Sequence, residues 1–454
     1  MTLSVGHRGK AATAAVDDTL ELRPWWWQDR RRTALPEPEM PATTDIAIVG
    51  GGYTGLSAAL TLARSGARVC LFDNGDPGDG ASSRNGGILE AGLHPGYRAL
   101  ARRFGPEQAV ALLDEAGTAV EYLERLLIDL GIDCDYRPVG HFQPAASPAH
   151  FRAMARDLEA EQAVRSVAAH MVPAESQDNF LDSPIYAGGK VVAAGGGLHP
   201  AKLHDGLLSA ALRAGVTVLA RTPVLGIDRE PEDGVLLDTG LGYIKADRVL
   251  ICTNGYTSGI DPELQRRVIP VTSAMIATGP LDPEQVRRLI PNGRMIADSL
   301  NLLHYFRPSP DGQRILLGTR PGVLAPAVES PELARHMAGQ LFTIFPDLAG
   351  CRISHCWSGR LGFSFDRLPK IAMQDRVGHA LCYAGSGVGM AVWLGHKLGQ
   401  KAVGDLVGRT AFDDLPFPTR SYYRQWPWFL TPAMAWYGLR DSLAARYRRR
   451  QPAA

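Results

Sequence analysis

The stretch covering residues 45–73, DIAIVGGGYTGLSAALTLARSGARVCLFD, constrains the fold more than any other part of the chain. An apolar run that reads as a buried strand leads straight into Gly50-x-Gly52-x-x-Gly55. This opens a helical stretch stopped at Gly66, and a second apolar run ends on Asp73. Each piece has a task in a strand–turn–helix–strand unit that holds a dinucleotide. The first glycine permits a tight turn, the second lets a pyrophosphate approach the backbone, and the third lets the helix pack on the strand. The helix N-terminus, with Thr54 in its first turn, offers free N–H groups to phosphates. Asp73, about 20 residues on, is placed to accept hydrogen bonds from a ribose.

The glycine turn alone does not separate NAD from FAD. An NAD dehydrogenase would continue its parallel sheet with further strand–helix repeats, whereas this chain runs into NGDPGDGASSRNGGILEAGL. Within it, Ala81 and the hydroxyls of Ser82 and Ser83 can lie along a pyrophosphate. Arg84 and Asn85 add charged and amide donors, and Gly86 and Gly87 leave room for a flat ring. The segment therefore points to a flavin.

Helical spacing predicts helices over residues 106–130, ended by Gly131, over 150–164, over 200–214 with His199 as a helix-start residue, and over 331–348. Asp311-Gly312 between two strand-like runs predicts a hairpin. The chain closes with a strand, a glycine turn and a helix around YAGSGVGMAVWLG. Rossmann-type pieces thus recur near the start, middle and end. The expected fold is α/β, a Rossmann-type FAD domain assembled from three chain segments (45–95, 196–265 and 355–415). An α+β mixed-sheet substrate domain is formed by two insertions (96–195 and 266–354). Residues 1–44 form an arm and linker whose Trp25, Trp26 and Trp27 pin it to the body, and 416–454 form a tail.

Charge narrows the partners. Lys and Arg number 48 against 47 Asp and Glu, so the chain as a whole carries no footprint for nucleic acid. The six cysteines show neither C-x-x-C nor zinc spacing, and no metal is expected. The N-terminus lacks the apolar core of a signal peptide and no uncharged stretch is long enough to span a bilayer, so a cytoplasmic location is expected.

Together VGGGYTGLSAALTLARSGARVCLFD, GASSRNGG, DRVLICTNGYT and YAGSGVGMAVWLG resemble the FAD-dependent D-amino-acid-oxidase superfamily, and most of all its gamma-glutamylputrescine oxidase-like subgroup. The resemblance implies an FAD domain and a mixed-sheet substrate domain with the flavin at their junction. It implies that Val224 holds the adenine through backbone groups. It also implies that Gly385, Gly387, Val388, Gly389 and Met390 form the glycine turn beneath the flavin. Two departures stand out. Many relatives read G-H-G where this chain has Gly387-Val388-Gly389. Amino-acid-oxidising relatives carry a carboxylate-binding arginine where WSGRLGFSFDRLP places Leu361, with Arg360 one residue earlier and, by strand alternation, on the opposite face. An amine, or an amino acid held through a distal group, is the substrate this suggests.

The resemblance implies oxidation of a C–N bond by hydride transfer to the flavin, with the imine hydrolysed to an aldehyde and the flavin reoxidised by oxygen. Tyr305 and Trp357 are expected to wall the substrate, with Arg360 beside them. His304 or Arg307 would orient it, and Glu90 would meet a cationic end. Some relatives use a lysine near the flavin to activate oxygen, and RILLGTR in the corresponding strand has none. A flavin dehydrogenase of amino or imino acids feeding a quinone or protein acceptor is therefore the alternative. Flavin binding without turnover is a third reading. The aromatic, basic tail allows peripheral membrane contact, although packing against the body is favoured.

Overall fold

The run TTDIAIV forms the strand Thr43–Val49. Its near-continuous apolar character suits the middle of a parallel sheet covered on both faces. The computed structural model describes residues 19–28, 30, 32–37, 39–230, 234–321, 329–424 and 427–446. Thr43–Val49 pairs in parallel with Val69–Phe72 on one side and Tyr243–Ile251 on the other. Thr217–Leu219 and Val377–Leu381 extend the parallel arrangement outward. Lys370–Gln374, Gly226–Glu230 and Gly234–Asp238 add antiparallel strands, giving eight among the described residues. The C-terminal ends of the parallel strands therefore meet along one edge, where open α/β sheets bind ligands.

One face of this sheet is covered by Tyr53–Arg64, Pro106–Leu130, Pro200–Arg213 and Gly387–Ala402. Leu112, Ala116, Ala119, Leu123, Leu126 and Leu127 form the buried stripe of Pro106–Leu130, and Gly131 ends it in the left-handed conformation at φ 63°. The helix expected from residue 150 begins earlier, as Pro148–Gln162, because Ser147 caps it by accepting the His150 N–H.

A second eight-stranded sheet runs in the order Ile353–Phe363, Ile269–Thr278, Ile315–Thr319, His304–Pro308, Met295–Ala297, His141–Pro144, Gly189–Val192, Ala169–Val172. The hairpin around Asp311-Gly312 is its middle, with Gly312 at φ 71°. Two features differ from expectation. Ile269–Thr278 carries no clear alternation and was not anticipated, yet it joins Ile353–Phe363 to the hairpin. Ile353–Phe363 also belongs to this second sheet, so the third cofactor-side segment starts after it and not at residue 355.

Ile353–Phe363 is an edge strand, and the N-terminal arm covers it. Glu21 N–H donates to the Ser354 carbonyl at 2.9 Å, and Cys356 N–H donates to the Glu21 carbonyl at 3.0 Å. Such cover removes an open ladder. Trp25 and Trp26 then bury against Met275, Ala277, Leu316 and Trp357.

Candidate functional site

A cavity of about 570 Å³ opens at the C-terminal ends of the parallel strands, lined by Gly50, Gly52, Thr54, Asp73, Ser82 and Val224 among others. The Asp73 carboxylate accepts the N–H of Gly51 at 2.7 Å and of Gly75 at 2.9 Å. Burial pushes its pKa up, and those two N–H groups oppose the shift. Gly55 is not among the residues lining this cavity. A side chain there would run into the Gly50 carbonyl, so its task is the close approach of helix to turn.

Tyr53–Arg64 and Gly387–Ala402 begin at Gly52 and Ser386 with no side-chain cap. Elsewhere His199 and Ser330 cap their helices with side-chain acceptors. Neither N-cap residue supplies a side-chain acceptor and both helix starts line the cleft, with the Tyr53 N–H taken by Ser82 Oγ; such helix starts suit an anionic or electron-rich ligand. Thr54 Oγ1 lies 2.7 Å from the Tyr383 hydroxyl and ties the two helix starts together. Just before the second start, Cys382 and Ala384 adopt positive φ of 67° and 55°, unusual for residues with a Cβ.

A second cavity of about 490 Å³ shares Ala81, Asn85, Leu361, Ala384, Gly385 and Val388 with the first, so the two are one extended cleft. The shared lining, the two helix starts and the acid at Asp73 fit FAD, whose ADP part the residues of the first cavity would hold. Val224 lines the first cavity, as do Gly385, Gly387 and Val388, whereas Gly389 packs on Leu89 and Met390 lies in the core.

The segment GASSRNGG is held from behind, and this revises the expected role of several side chains. Ser83 is fully buried and donates to the Gly78 carbonyl at 2.5 Å while accepting the Trp27 Nε1–H at 2.8 Å. Arg84 donates through Nε to the Asp79 carbonyl at 2.6 Å and lies over the Trp27 ring at 4.8 Å. Asn85 accepts the Gly87 N–H and donates to the Ala81 and Ser82 carbonyls. Ser82 Oγ accepts the Tyr53 N–H at 3.0 Å and lines the cleft. Ala81, Asn85 and Gly86 also face it, and Arg84 reaches the second cavity, whereas Ser83 and Gly87 face neither.

Arg307 explains why Gly87 is turned away. Its Nη1 donates to the Gly87 and Leu198 carbonyls, both at 2.8 Å, and burial pulls its pKa down to about 9. It clamps the segment's backbone and lines neither cavity. Trp357 is likewise fully buried among Trp25, Trp26 and Leu316, donating Nε1–H to the Arg84 carbonyl at 2.8 Å, so it supports the segment instead of walling a substrate. His304 pairs with Asp298 at 2.9 Å and lines neither cavity.

Tyr305 does line the second cavity, its hydroxyl 2.9 Å from Ser273 Oγ. Burial raises the phenol's pKa, so it stays protonated. Glu90 lines the same cavity and has no ion pair among the described residues. Leu361 borders both cavities. Arg360 is exposed, 5.9 Å from the Tyr256 ring, and lines the first cavity beside Leu361 but not the second. Sequence reasoning missed Arg320 and Ser273 on the cavity wall, for neither sits in a motif. The tail helix Leu430–Arg446 docks beside this wall, the Asp441 carboxylate accepting from the N–H groups of Asn301 and Leu302. Among the described residues no helix is long and apolar enough to cross a membrane.

Comparison with known proteins agrees with this geometry. The chain is 34% identical over 419 residues to "Probable oxidoreductase OrdL" of Rhizobium meliloti (strain 1021), covering 89% of this chain and 94% of that one. It is 30% identical over 406 residues to gamma-glutamylputrescine oxidoreductase of Escherichia coli (strain K12), covering 88% and 93%. The crystal structure of glycine oxidase from Geobacillus kaustophilus superposes with a TM-score of 0.68 at 22% identity, covering 84% of this chain and all of that one. The FAD dependent oxidoreductase (DAO) family model matches residues 45–401, and with the uncapped helices and the extended cleft in place, the chain belongs to that FAD-dependent family.

Proposed function

We propose that the protein oxidises a C–N bond in an amine or amine conjugate, releasing an imine that water converts to an aldehyde. The observation that supports this reading is the second cavity, which meets the first at Leu361, Ala384 and Gly385 and offers room for a small molecule next to a flavin bound there. When bound, FAD supplies the two-electron acceptor for the hydride leaving carbon. The chain's own residues orient and desolvate the substrate. A partly apolar wall disfavours the ammonium form, leaving the lone pair the reaction needs. The Tyr305 ring offers a face to a cationic substrate end. Its phenol, kept protonated by burial, serves as wall and hydroxyl, not as base. Glu90 supplies a carboxylate for a distal ammonium. Kinship with gamma-glutamylputrescine oxidoreductase supports an amine as the reacting group.

The electron acceptor has two readings. Oxygen is the first. Leu316 of Ile315–Thr319 packs into the tryptophan cluster, and that strand presents no amine to the cavity. This favours, as the second reading, a dehydrogenase passing electrons to a quinone or protein. The deciding experiment is an anaerobic titration of FAD-loaded protein with amines, amine conjugates and amino acids, followed by air. Bleaching of the visible flavin band by an amine, then rapid recovery with peroxide, supports the oxidase. Slow recovery supports the dehydrogenase. A flavin that dithionite reduces and no amine does would overturn the proposal.

A further inference from the structure

The tail helix Leu430–Arg446 is apolar on two sides, and the body of the protein covers one of them. On the covered side Asp441 accepts from the Asn301 and Leu302 N–H groups, and a side chain at Gly438 would meet Leu302. Leu430, with Phe429 just before it, packs on the cluster of Ile269, Val271 and Phe363. Helical spacing puts Pro432, Ala435, Trp436 and Leu439 on the face opposite Asp441, and all four are exposed. Tyr422, Trp428, Trp436 and Leu439 are each at least half exposed. The rings before the helix are held in place: Trp428 meets Tyr422 and Phe429 edge-on, and its Nε1–H donates to the Tyr422 carbonyl at 3.2 Å. A surface helix ordinarily turns polar residues to water, so an apolar outer face with ordered aromatics marks an interaction surface.

Charge identifies what that surface fits. Residues 416–454 hold seven arginines and a single acid, Asp441, whereas the whole chain balances 48 Lys and Arg against 47 Asp and Glu. The tail is therefore strongly basic and the rest of the chain carries an acidic excess. Asp441 is spent on backbone N–H groups of the covered side. Arg420, Arg424 and Arg440 are exposed and form no ion pair among the described residues. Tryptophan and tyrosine favour the headgroup layer of a bilayer, and basic residues are drawn to anionic lipid. A second copy of the chain would set the same arginines against themselves across a two-fold interface. Single-stranded nucleic acid uses aromatic and basic groups as well, but Pro432, Ala435 and Leu439 add aliphatic surface that stacking does not need.

We propose that this tail is a docking surface for an anionic lipid bilayer, with Trp428, Trp436 and Leu439 entering the headgroup layer and Arg424 and Arg440 meeting lipid phosphates. Asn301 and Leu302, on which the helix is anchored, lie between Leu300 and Leu303 of the second cavity's wall, so the bilayer would sit beside that cavity. The assignment stands apart from the amine-oxidising reading and holds for either electron acceptor.

The test is flotation of the FAD-loaded full chain with vesicles of phosphatidylcholine alone, and of phosphatidylcholine with about 30% phosphatidylglycerol. Binding to the mixed vesicles, little to the neutral ones, and release at high salt are expected. Trp428→Ser with Trp436→Ser should weaken binding at least about tenfold, and Arg424→Gln with Arg440→Gln by a similar factor of about ten. Leu406→Ser, at an exposed leucine outside the tail, should leave it unchanged. Wild-type protein that ignores the mixed vesicles overturns the proposal. So does a folded tryptophan variant that floats like wild type, or an equal loss on Leu406→Ser. A dimer in sedimentation velocity, or retention on a single-stranded oligonucleotide, that depends on Trp436 in a protein indifferent to vesicles assigns the surface to that other occupant and is equally fatal. Should the tryptophan variant fail to fold, the arginine variant decides, and unchanged flotation there overturns the proposal.

Discussion

Tyr305 lies across Gly318, its partner on the neighbouring strand, and the ring occupies the space a side chain at 318 would take. Gly86 approaches the ring as well, and an added Cβ there would stand 3.0 Å from it. A cavity-wall aromatic is thus packed on one glycine of the second sheet and one of the segment that shapes the cleft. Gly318→Ala should displace the ring, break the Ser273 contact and cost about 1–3 kcal/mol by overpacking. Denaturant unfolding of Gly318→Ala, Tyr305→Ala and the double variant checks this. Most of the cost should vanish when Tyr305 is absent, and strictly additive costs would contradict the coupling.

Asp73 accepts the Gly51 N–H of the glycine turn and the Gly75 N–H of the loop after it with two different oxygens. Asn offers one oxygen and places an NH₂ against the other N–H. Asp73→Asn should therefore weaken FAD retention by roughly tenfold or more, a loss of about 1.4 kcal/mol or above. Equilibrium dialysis followed by the flavin absorbance ratio measures it. Retention equal to wild type would show that the turn does not depend on the carboxylate.

Arg307→Met removes the donor to the Gly87 and Leu198 carbonyls while keeping much of the bulk. Stranding buried acceptors costs about 1–3 kcal/mol. Expected outcomes are a lower unfolding free energy and faster FAD loss.

His199 caps Pro200–Arg213 by accepting the Lys202 N–H at Nδ1, 3.2 Å away, and burial lowers its pKa to about 4. A protonated Nδ1 cannot accept. The folded pKa lies below the ordinary value near 6.5, so between those two pH values the unfolded chain binds the extra proton. Stability conferred by the neutral ring is full above pH ~6.5 and falls as pH drops toward 4, by up to about 1.4 kcal/mol per pH unit for this one group. His199→Ser keeps a cap that does not titrate and should flatten the slope of unfolding free energy against pH by one proton in that window. A slope unchanged by the substitution would remove His199 from the acid response.

Local chemistry made much of the fold legible. The glycine turn, the helices ended by Gly131 or begun by His199, and the hairpin at Asp311-Gly312 all depend on neighbours within a few residues, and each formed close to where its residues placed it. Ile269–Thr278 was illegible because a strand buried among partners from distant segments needs no alternation of its own.

The candidate site divides along the same line. Sequence alone determined that Gly50, Gly52 and Asp73 would meet at one cleft, since turn, helix start and acid are contiguous in one unit. It did not foresee that Arg360 and Leu361, expected on opposite faces from the two-residue pleat, would both line the first cavity, with Leu361 alone reaching the second. Only the tertiary structure decided that Ser82 faces the cleft while Ser83 is turned to Trp27, that Trp357 and Arg307 brace the segment from behind, and that Arg320 joins Tyr305 on the cavity wall. Those outcomes depend on pairing between residues tens to hundreds of positions apart. Local propensity states which faces exist, and packing of the assembled sheets chooses what each face meets.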